Sequence, residues 1–269
     1  MPRLAAVIGS PVRHSLSPAM HNAVFEATGI DWRFTRFDLV DGGVPAALAA
    51  MPVLDIGGYA VTMPHKEAAA AAVDEVDPVA QALDSVNTVV LRPDGSTYGA
   101  STDGAGLVAW VEASGVAVAG QPVVVLGAGA AARSIVDALG RAGAADIVIV
   151  NRTQRTAEQA AELSAAARAG GADSIADARL VVNATSVGMG TDDCPLDPAL
   201  LHARHAVADI VYHPLDTALL RAARAAGAQP IDGLGMLVYQ AVEQEALWTG
   251  HRPDPSLMRS AAERALAAR

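Results

Sequence analysis

The chain has 269 residues, 52% of them hydrophobic and 18% charged, and 29 acidic against 19 basic residues leave a formal net charge of -10. That length suits one large domain or two ordinary ones, and an acidic balance with no evident basic stripe argues against nucleic acid or anionic membrane as a partner. The single cysteine, Cys194, excludes an internal disulfide, and Gly9-Ser10-Pro11 stops the apolar run from Leu4 to Ile8 far short of the roughly 20 residues of a membrane span. The expectation is therefore a cytoplasmic protein without a secretory leader.

In chain order, apolar runs and punctuation predict a strand over 4–9, a helix over 18–28, an alternating strand over 32–39, a helix over 44–50 and a strand over 57–62. Helical composition follows over 67–76 and 78–83. Segments 87–92 and 96–100 flank Pro93-Asp94-Gly95, which is hairpin-turn chemistry. A helix over 106–114 and the break Gly120-Gln121-Pro122 set a domain boundary near residues 103–105. Beyond it strands alternate with helices: 123–126, helix 131–142, 146–150, helix 157–169, 180–183, 206–211 and helix 217–226. That alternation implies a parallel sheet covered on both faces.

Val123-Val-Val-Leu126 runs straight into Gly127-Ala128-Gly129-Ala130-Ala131-Ala132-Arg133 and a helix, which is the dinucleotide-binding arrangement in its strand-to-helix setting. Gly127 serves the tight turn, Gly129 the approach of the pyrophosphate and Ala132 the helix packing, while the helix start offers amide donors. An NAD site would place an acid on the ribose roughly 20 residues later. Here stand Asn151, Arg152 and Thr153, and a guanidinium fork suits a 2′-phosphate, so NADP is the expected cofactor. An Arg that merely opens a solvated loop is the plainer alternative for Arg152.

Three stretches of the first half hold more polar residues than loops require. In His14-Ser15-Leu16-Ser17-Pro18, Ser17 is placed as N-cap and Pro18 as the first helical residue, so the hydroxyls of Ser15 and Ser17 are candidates to hold a carboxylate. Val61-Thr62-Met63-Pro64-His65-Lys66 delivers polar groups to the C-terminal edge of a strand, where ligands of open α/β sheets bind. Lys66 is the single lysine among 18 arginines. An Arg cannot replace a group that must release its proton, so Lys66 is a candidate for chemistry, against the bland alternative of one surviving surface Lys. Asn87, in Ser85-Val-Asn-Thr88, and Asp103, in Gly99-Ala-Ser-Thr-Asp-Gly104, form the third group, with Asp103 at the seam of the two halves. The seven histidines and Cys194 show no metal-ligand spacing, so no metal is expected.

Together with Asn183-Ala-Thr-Ser-Val-Gly-Met189 and Gly235-Met-Leu-Val-Tyr-Gln240-Ala241, these motifs resemble, over essentially the whole chain, the shikimate dehydrogenase family. The resemblance implies NADP-dependent interconversion of 3-dehydroshikimate and shikimate on the route to the aromatic amino acids, by a monomer or homodimer acting on a small molecule. It implies an α/β fold: a three-layer substrate domain over 1–103, completed by C-terminal helices over 236–269, and a Rossmann domain over 104–235. It assigns Ser15 and Ser17 to the substrate carboxylate, and Thr185, Val211 and Gly233 to further cofactor contacts. Thr62, Lys66, Asn87, Asp103 and Gln240 go to ring hydroxyls, Tyr212 lies near the site, and Lys66 with Asp103 form the catalytic pair. Ser101 departs from the family's usual Asn, and Asp84-Ser85 from its usual small pair. A quinate/shikimate or aminoshikimate-type homologue stays open, as does a non-catalytic dinucleotide-sensing module, since a fold alone does not fix function.

Overall fold

The computed structural model describes residues 2–268. The chain divides into two units, one reaching Thr102 and resuming at Gln240, the other Asp103–Tyr239. These limits lie within a few residues of the expected 103/104 and 235/236. The helix expected from Gly106 already begins at Asp103, and the second limit lies inside a helix over Gly233–Thr249, where no turn residue marks it.

In the first unit the elements are β1 (Arg3–Gly9), α1 (Ser17–Thr28), β2 (Trp32–Asp38), α2 (Val44–Leu54), β3 (Ile56–Val61), α3 (Lys66–Ala72), β4 (Glu75–Val76), α4 (Pro78–Leu83), β5 (Thr88–Leu91) and β6 (Thr97–Ala100). They form one mixed sheet in the order β2-β1-β3-β5-β6-β4. Strand β1 is parallel to β2 and β3, whereas β3–β5 and β5–β6 are antiparallel. The apolar run that predicts β1 is buried on both faces. Ala6 and Ile8 pack with Val44, Leu48 and Met51 of α2, and Ala5 and Val7 with Phe25, Phe34 and Trp248, as the two-residue period of a strand requires. The helix expected over 67–76 is corrected. It ends at Ala72, Val73 is extended, and Glu75–Val76 pairs with β6. Asp74 drives this: its amide donates to Thr97 Oγ1, and its carboxylate accepts from the Thr97 amide and hydroxyl. Helix α2 outruns its expected end at Ala50, reaching Leu54 with Pro52 inside it.

The second unit holds α5 (Asp103–Ala113), β7 (Pro122–Leu126), α6 (Ala130–Arg141), β8 (Asp146–Val150), α7 (Gln154–Ala161), β9 (Ala167–Ala169), β10 (Leu180–Asn183), β11 (Ala206–Asp209), α8 (Ala218–Ala225) and β12 (Gln229–Ile231). Helix α9 (Gly233–Thr249) starts here and α10 (Pro255–Ala267) closes the first unit. The sheet is parallel throughout, in the order β12-β11-β10-β7-β8-β9, which is the doubly wound dinucleotide topology with its switch point between β7 and β10. One expectation fails and one strand is unforeseen. The helix over 157–169 stops at Ala161, and Ala167–Ala169 instead pairs with β8 as an edge strand; β12, with Pro230 on an edge, carried no strand signal.

Candidate active site

In the first unit the sheet register brings the polar stretches to one edge. The amide of Thr62, just past β3, donates to Ile8 O at 2.9 Å, and Ser10 N donates to Met63 O at 3.0 Å. Because β5 runs antiparallel, its start lies at the same edge. Val61 N donates to Asn87 O at 2.7 Å, Asn87 N to Ala100 O at 3.0 Å, and Val86 N to Lys66 O at 3.1 Å. Thus Thr62, Lys66, Asn87 and the 100–102 segment share a backbone mesh, with the 10–17 loop of β1 beside them. Lys66 opens α3 and is half-buried. The preceding His65 is buried, and its Nε2 lies 2.9 Å from Leu39 O; a carbonyl only accepts, so Nε2 carries the proton and ties down the turn that presents Lys66.

Ser17 is not the N-cap. Leu16 holds that position without a capping side chain, and Ser17 lies inside the first turn. The Ser15 hydroxyl does the capping instead, accepting from Ser17 N at 3.2 Å, with the two hydroxyl oxygens also 3.2 Å apart. The doublet is therefore joined, and Ser17 is the more buried of the two.

The Asn87 side chain is largely committed to the protein: its Oδ1 accepts from Thr102 N at 2.9 Å and from the Thr88 hydroxyl at 2.8 Å, and its Nδ2 donates to Thr102 Oγ1 at 2.9 Å. One residue earlier, Ser101 N donates to Asp77 Oδ2 at 3.2 Å, while Asp77 Oδ1 caps α4 through the amides of Val79 and Ala80. Two consecutive amides just before Asp103 are thus pinned by side chains. The sequence reading gave Asp77 no role, although an Asp before Pro78 at a helix start is a cap signal. From α9, Gln244 donates to Asn87 O at 3.2 Å and Trp248 to Val89 O at 2.9 Å, so the helix tracks β5 and Gln240, one turn earlier, falls at the edge that holds Asn87.

In the second unit Gly127 follows β7 with φ +106°, a conformation that favours glycine, and a Cβ there would meet Thr185 Cγ2 at 2.9 Å. Gly129 is different: its φ is -77°, and a Cβ would find no protein atom within 4 Å, so the space above it is open to a ligand. Ala128 is half-buried, Ala130 and Ala131 form the first turn of α6, and Ala132 is fully buried against the core. This open cradle at a helix start, at the switch point, fits a pyrophosphate. Arg152 and Thr153 are exposed past β8. Asn151 Nδ2 donates to Thr153 O and to the Thr156 hydroxyl, which shapes the turn into α7.

Beside the cradle, buried Asn183 holds the next loop: its Oδ1 accepts from the Thr185 amide and hydroxyl, and its Nδ2 donates to Val187 O and to Asp209 Oδ1. Burial pushes the Asp209 carboxyl above its usual range, against hydrogen bonds from Thr217, Val211 and Asn183 that pull it down. Val211 is buried with its amide on Asp209, Tyr212 is half-buried, and Gly233 packs on the main chain of Ile210 and Val211, where a Cβ would lie 2.6 Å from three backbone atoms. Neither Asn183 nor Asp209 received a role from sequence; the signal was a polar residue ending each apolar strand. Among the described residues no cluster of His, Cys, Asp and Glu could hold a metal, and no helix is long and apolar enough to cross a membrane.

Three family models match: the shikimate dehydrogenase substrate binding domain over residues 7–89, shikimate / quinate 5-dehydrogenase over 111–187, and the shikimate 5'-dehydrogenase C-terminal domain over 233–263. A shikimate dehydrogenase (NADP(+)) of Symbiobacterium thermophilum is 44% identical, over 98% of this chain and 95% of its own. The chain belongs to the shikimate dehydrogenase family. Among solved structures it is similar to the Thermus thermophilus shikimate 5-dehydrogenase in complex with NADP(H) and shikimate, with TM-score 0.93, 39% identity and coverage of 98% and 99% of the two chains. The 5-ketofructose reductase of a Gluconobacter strain superposes about as well, at TM-score 0.92 and 32% identity over 98% of this chain and 99% of that one.

Proposed function

We propose that this chain is an NADP-dependent shikimate dehydrogenase, interconverting 3-dehydroshikimate and shikimate. The observation that carries the reading is the convergence of Ser15, Ser17, Thr62, Lys66 and Asn87 on one sheet edge, in a chain 44% identical over nearly its whole length to a shikimate dehydrogenase (NADP(+)). The Gly127–Ala131 turn would hold the pyrophosphate and Arg152 the 2′-phosphate. When bound, the cofactor exchanges a hydride with the ring carbon that bears the oxygen.

The residues of the chain then handle charge and protons. Lys66 Nζ gives a proton to the oxygen that becomes the alcohol and recovers it in the reverse direction, as an ammonium can and a guanidinium cannot. Asp103 accepts a hydrogen bond from the reacting hydroxyl. Asn87 and Asp77 hold the main chain just before Asp103, and Thr62 and Gln240 orient the other ring hydroxyls. The Ser15 and Ser17 hydroxyls donate to the carboxylate.

Steady-state assays with shikimate and quinate, each with NADP+ and NAD+, test the reading. Highest kcat/KM for shikimate with NADP+ is expected. A higher value for quinate with NAD+, or no turnover at all, refutes it. Arg152→Ala is expected to raise KM for NADP+ by ~10- to 100-fold, on the scale of a lost charge-assisted contact, while leaving KM for NAD+ unchanged. Equal losses for both cofactors would assign Arg152 to the fold.

A further inference from the structure

Relatives of one fold accept different substrates. The Gluconobacter reductase superposes over nearly all of this chain, yet its named substrate, 5-ketofructose, is a keto sugar without a carboxylate. Choice between a charged and a neutral ring must therefore lie in local groups. One such group is Arg36, on the edge strand β2. Its guanidinium rests on the carbonyl of Ser15, with Nη2 at 2.8 Å and Nε at 3.3 Å. Register explains the reach: β2 pairs in parallel with β1, Arg36 opposite Val7 and Asp38 opposite Gly9, so the end of β2 runs beside the loop that carries Ser15.

Among the described residues Arg36 is paired with no carboxylate, unlike Arg92, Arg168 and Arg252, each of which holds an acid at 2.6–2.9 Å. Two of its five N–H donors point at Ser15 O, and its charge is permanent. A carboxylate held on the hydroxyl of Ser15 would sit on the same residue whose carbonyl the guanidinium grips. A chain of net charge -10 otherwise repels an anionic substrate, and a fixed local cation offsets that repulsion.

We propose that Arg36 is a specificity-determining residue, whose guanidinium, seated on the Ser15 carbonyl, selects a carboxylate-bearing ring over a neutral one. The inference rests on the function proposed above. Its test compares shikimate with the analogue in which hydroxymethyl replaces the carboxylate, using wild type, Arg36→Gln and Arg36→Lys at low and high salt.

For Arg36→Gln, KM for shikimate is expected to rise ~2- to 5-fold at low salt, since an exposed charge contributes up to about that factor. Values of kcat, KM for NADP+ and kcat/KM for the neutral analogue stay unchanged, and high salt narrows the difference from wild type. Arg36→Lys keeps the charge and recovers most of the preference. Equal losses on both substrates would mean that Arg36 only supports the loop, and an unchanged preference would mean that it does nothing there; either outcome overturns the inference alone. A wild type inactive on shikimate overturns the functional reading and this inference with it.

Discussion

Gly104 offers a test of how closely α5 must approach α6 for Asp103 to be placed. A Cβ on Gly104 would lie 2.0 Å from Ser134 O, 2.7 Å from Ser134 C and 2.8 Å from Ala138 Cβ. Ordinary contact needs 3.4 Å or more, so in Gly104→Ala the two helices must part by more than an ångström. The residue has no positive φ, and its cost is therefore steric alone. Overpacking of this kind costs about 1–3 kcal/mol. The Gly104 N bond to Ser134 Oγ, 2.8 Å, would be stretched, adding ~0.5–1.5 kcal/mol, while helix propensity returns ~0.5–1 kcal/mol. The balance, ~0.5–4 kcal/mol, lowers Tm by roughly 1–15 °C for a protein of this size. Because Asp103 is the neighbouring residue, displacement on the ångström scale should also lower kcat, by up to ~10²-fold. Differential scanning calorimetry with steady-state kinetics measures both. The worst contact is with a backbone oxygen, so truncating Ser134 to Ala in the same protein should not rescue it. A Gly104→Ala enzyme with wild-type Tm and kcat, or full rescue by Ser134→Ala, would refute the close approach.

Gly129→Ala should behave in the opposite way, since the added methyl meets no protein atom: Tm within ~2 °C of wild type, but KM for NADP+ up ~10-fold or more as the methyl obstructs the pyrophosphate; an unchanged KM would remove the cradle. Lys66→Ala should lower kcat by roughly 10² to 10⁴ with thermal unfolding nearly unchanged, and undiminished turnover would exclude Lys66 from proton transfer. Burial, with His202, Arg204 and Arg179 adding to it, pushes the His205 imidazole below its ordinary 6.5. The unfolded chain then binds the proton first, so stability declines as pH falls below about 6.5, and Tm of His205→Gln should fall less between pH 7.5 and 5.5; parallel Tm curves would refute this.

Most strands of both sheets and the glycine turn were legible because their signals are local: apolar runs bounded by Gly, Pro and polar residues, and Gly127 where the chain needs a left-handed turn. Segment 73–76 was not, because Ala-rich helix propensity runs up to it and only the Asp74–Thr97 bonds, made across the fold, turn it into a strand. Ala167–Ala169 was hidden in the same way, an alanine-rich edge strand whose partner is β8. Of the site, most residues assigned to touch ligand stood in motifs, whereas Asp77 and Asp209 gave only the weak sign of a polar group at the end of an element, and Asn183 stood in a motif that gave it no role of its own.

The residues that hold the site are arranged so that their polar side chains bind backbone. Asp77 accepts from three amides, those of Val79, Ala80 and Ser101, and Asn87 fixes Thr102. Asn183 and Asp209 do the same for the 185–187 loop and Val211. Each polar side chain converts a flexible loop beyond a strand into a fixed one, which is what orientation of a reacting hydroxyl requires. A substitution that keeps shape but changes polarity at buried Asn87, Asn183 or Asp209 should therefore lower stability, by about 1–3 kcal/mol for a backbone group left without its partner, as well as alter kinetics, and one that alters shape at Gly104 or Gly233 should likewise alter both.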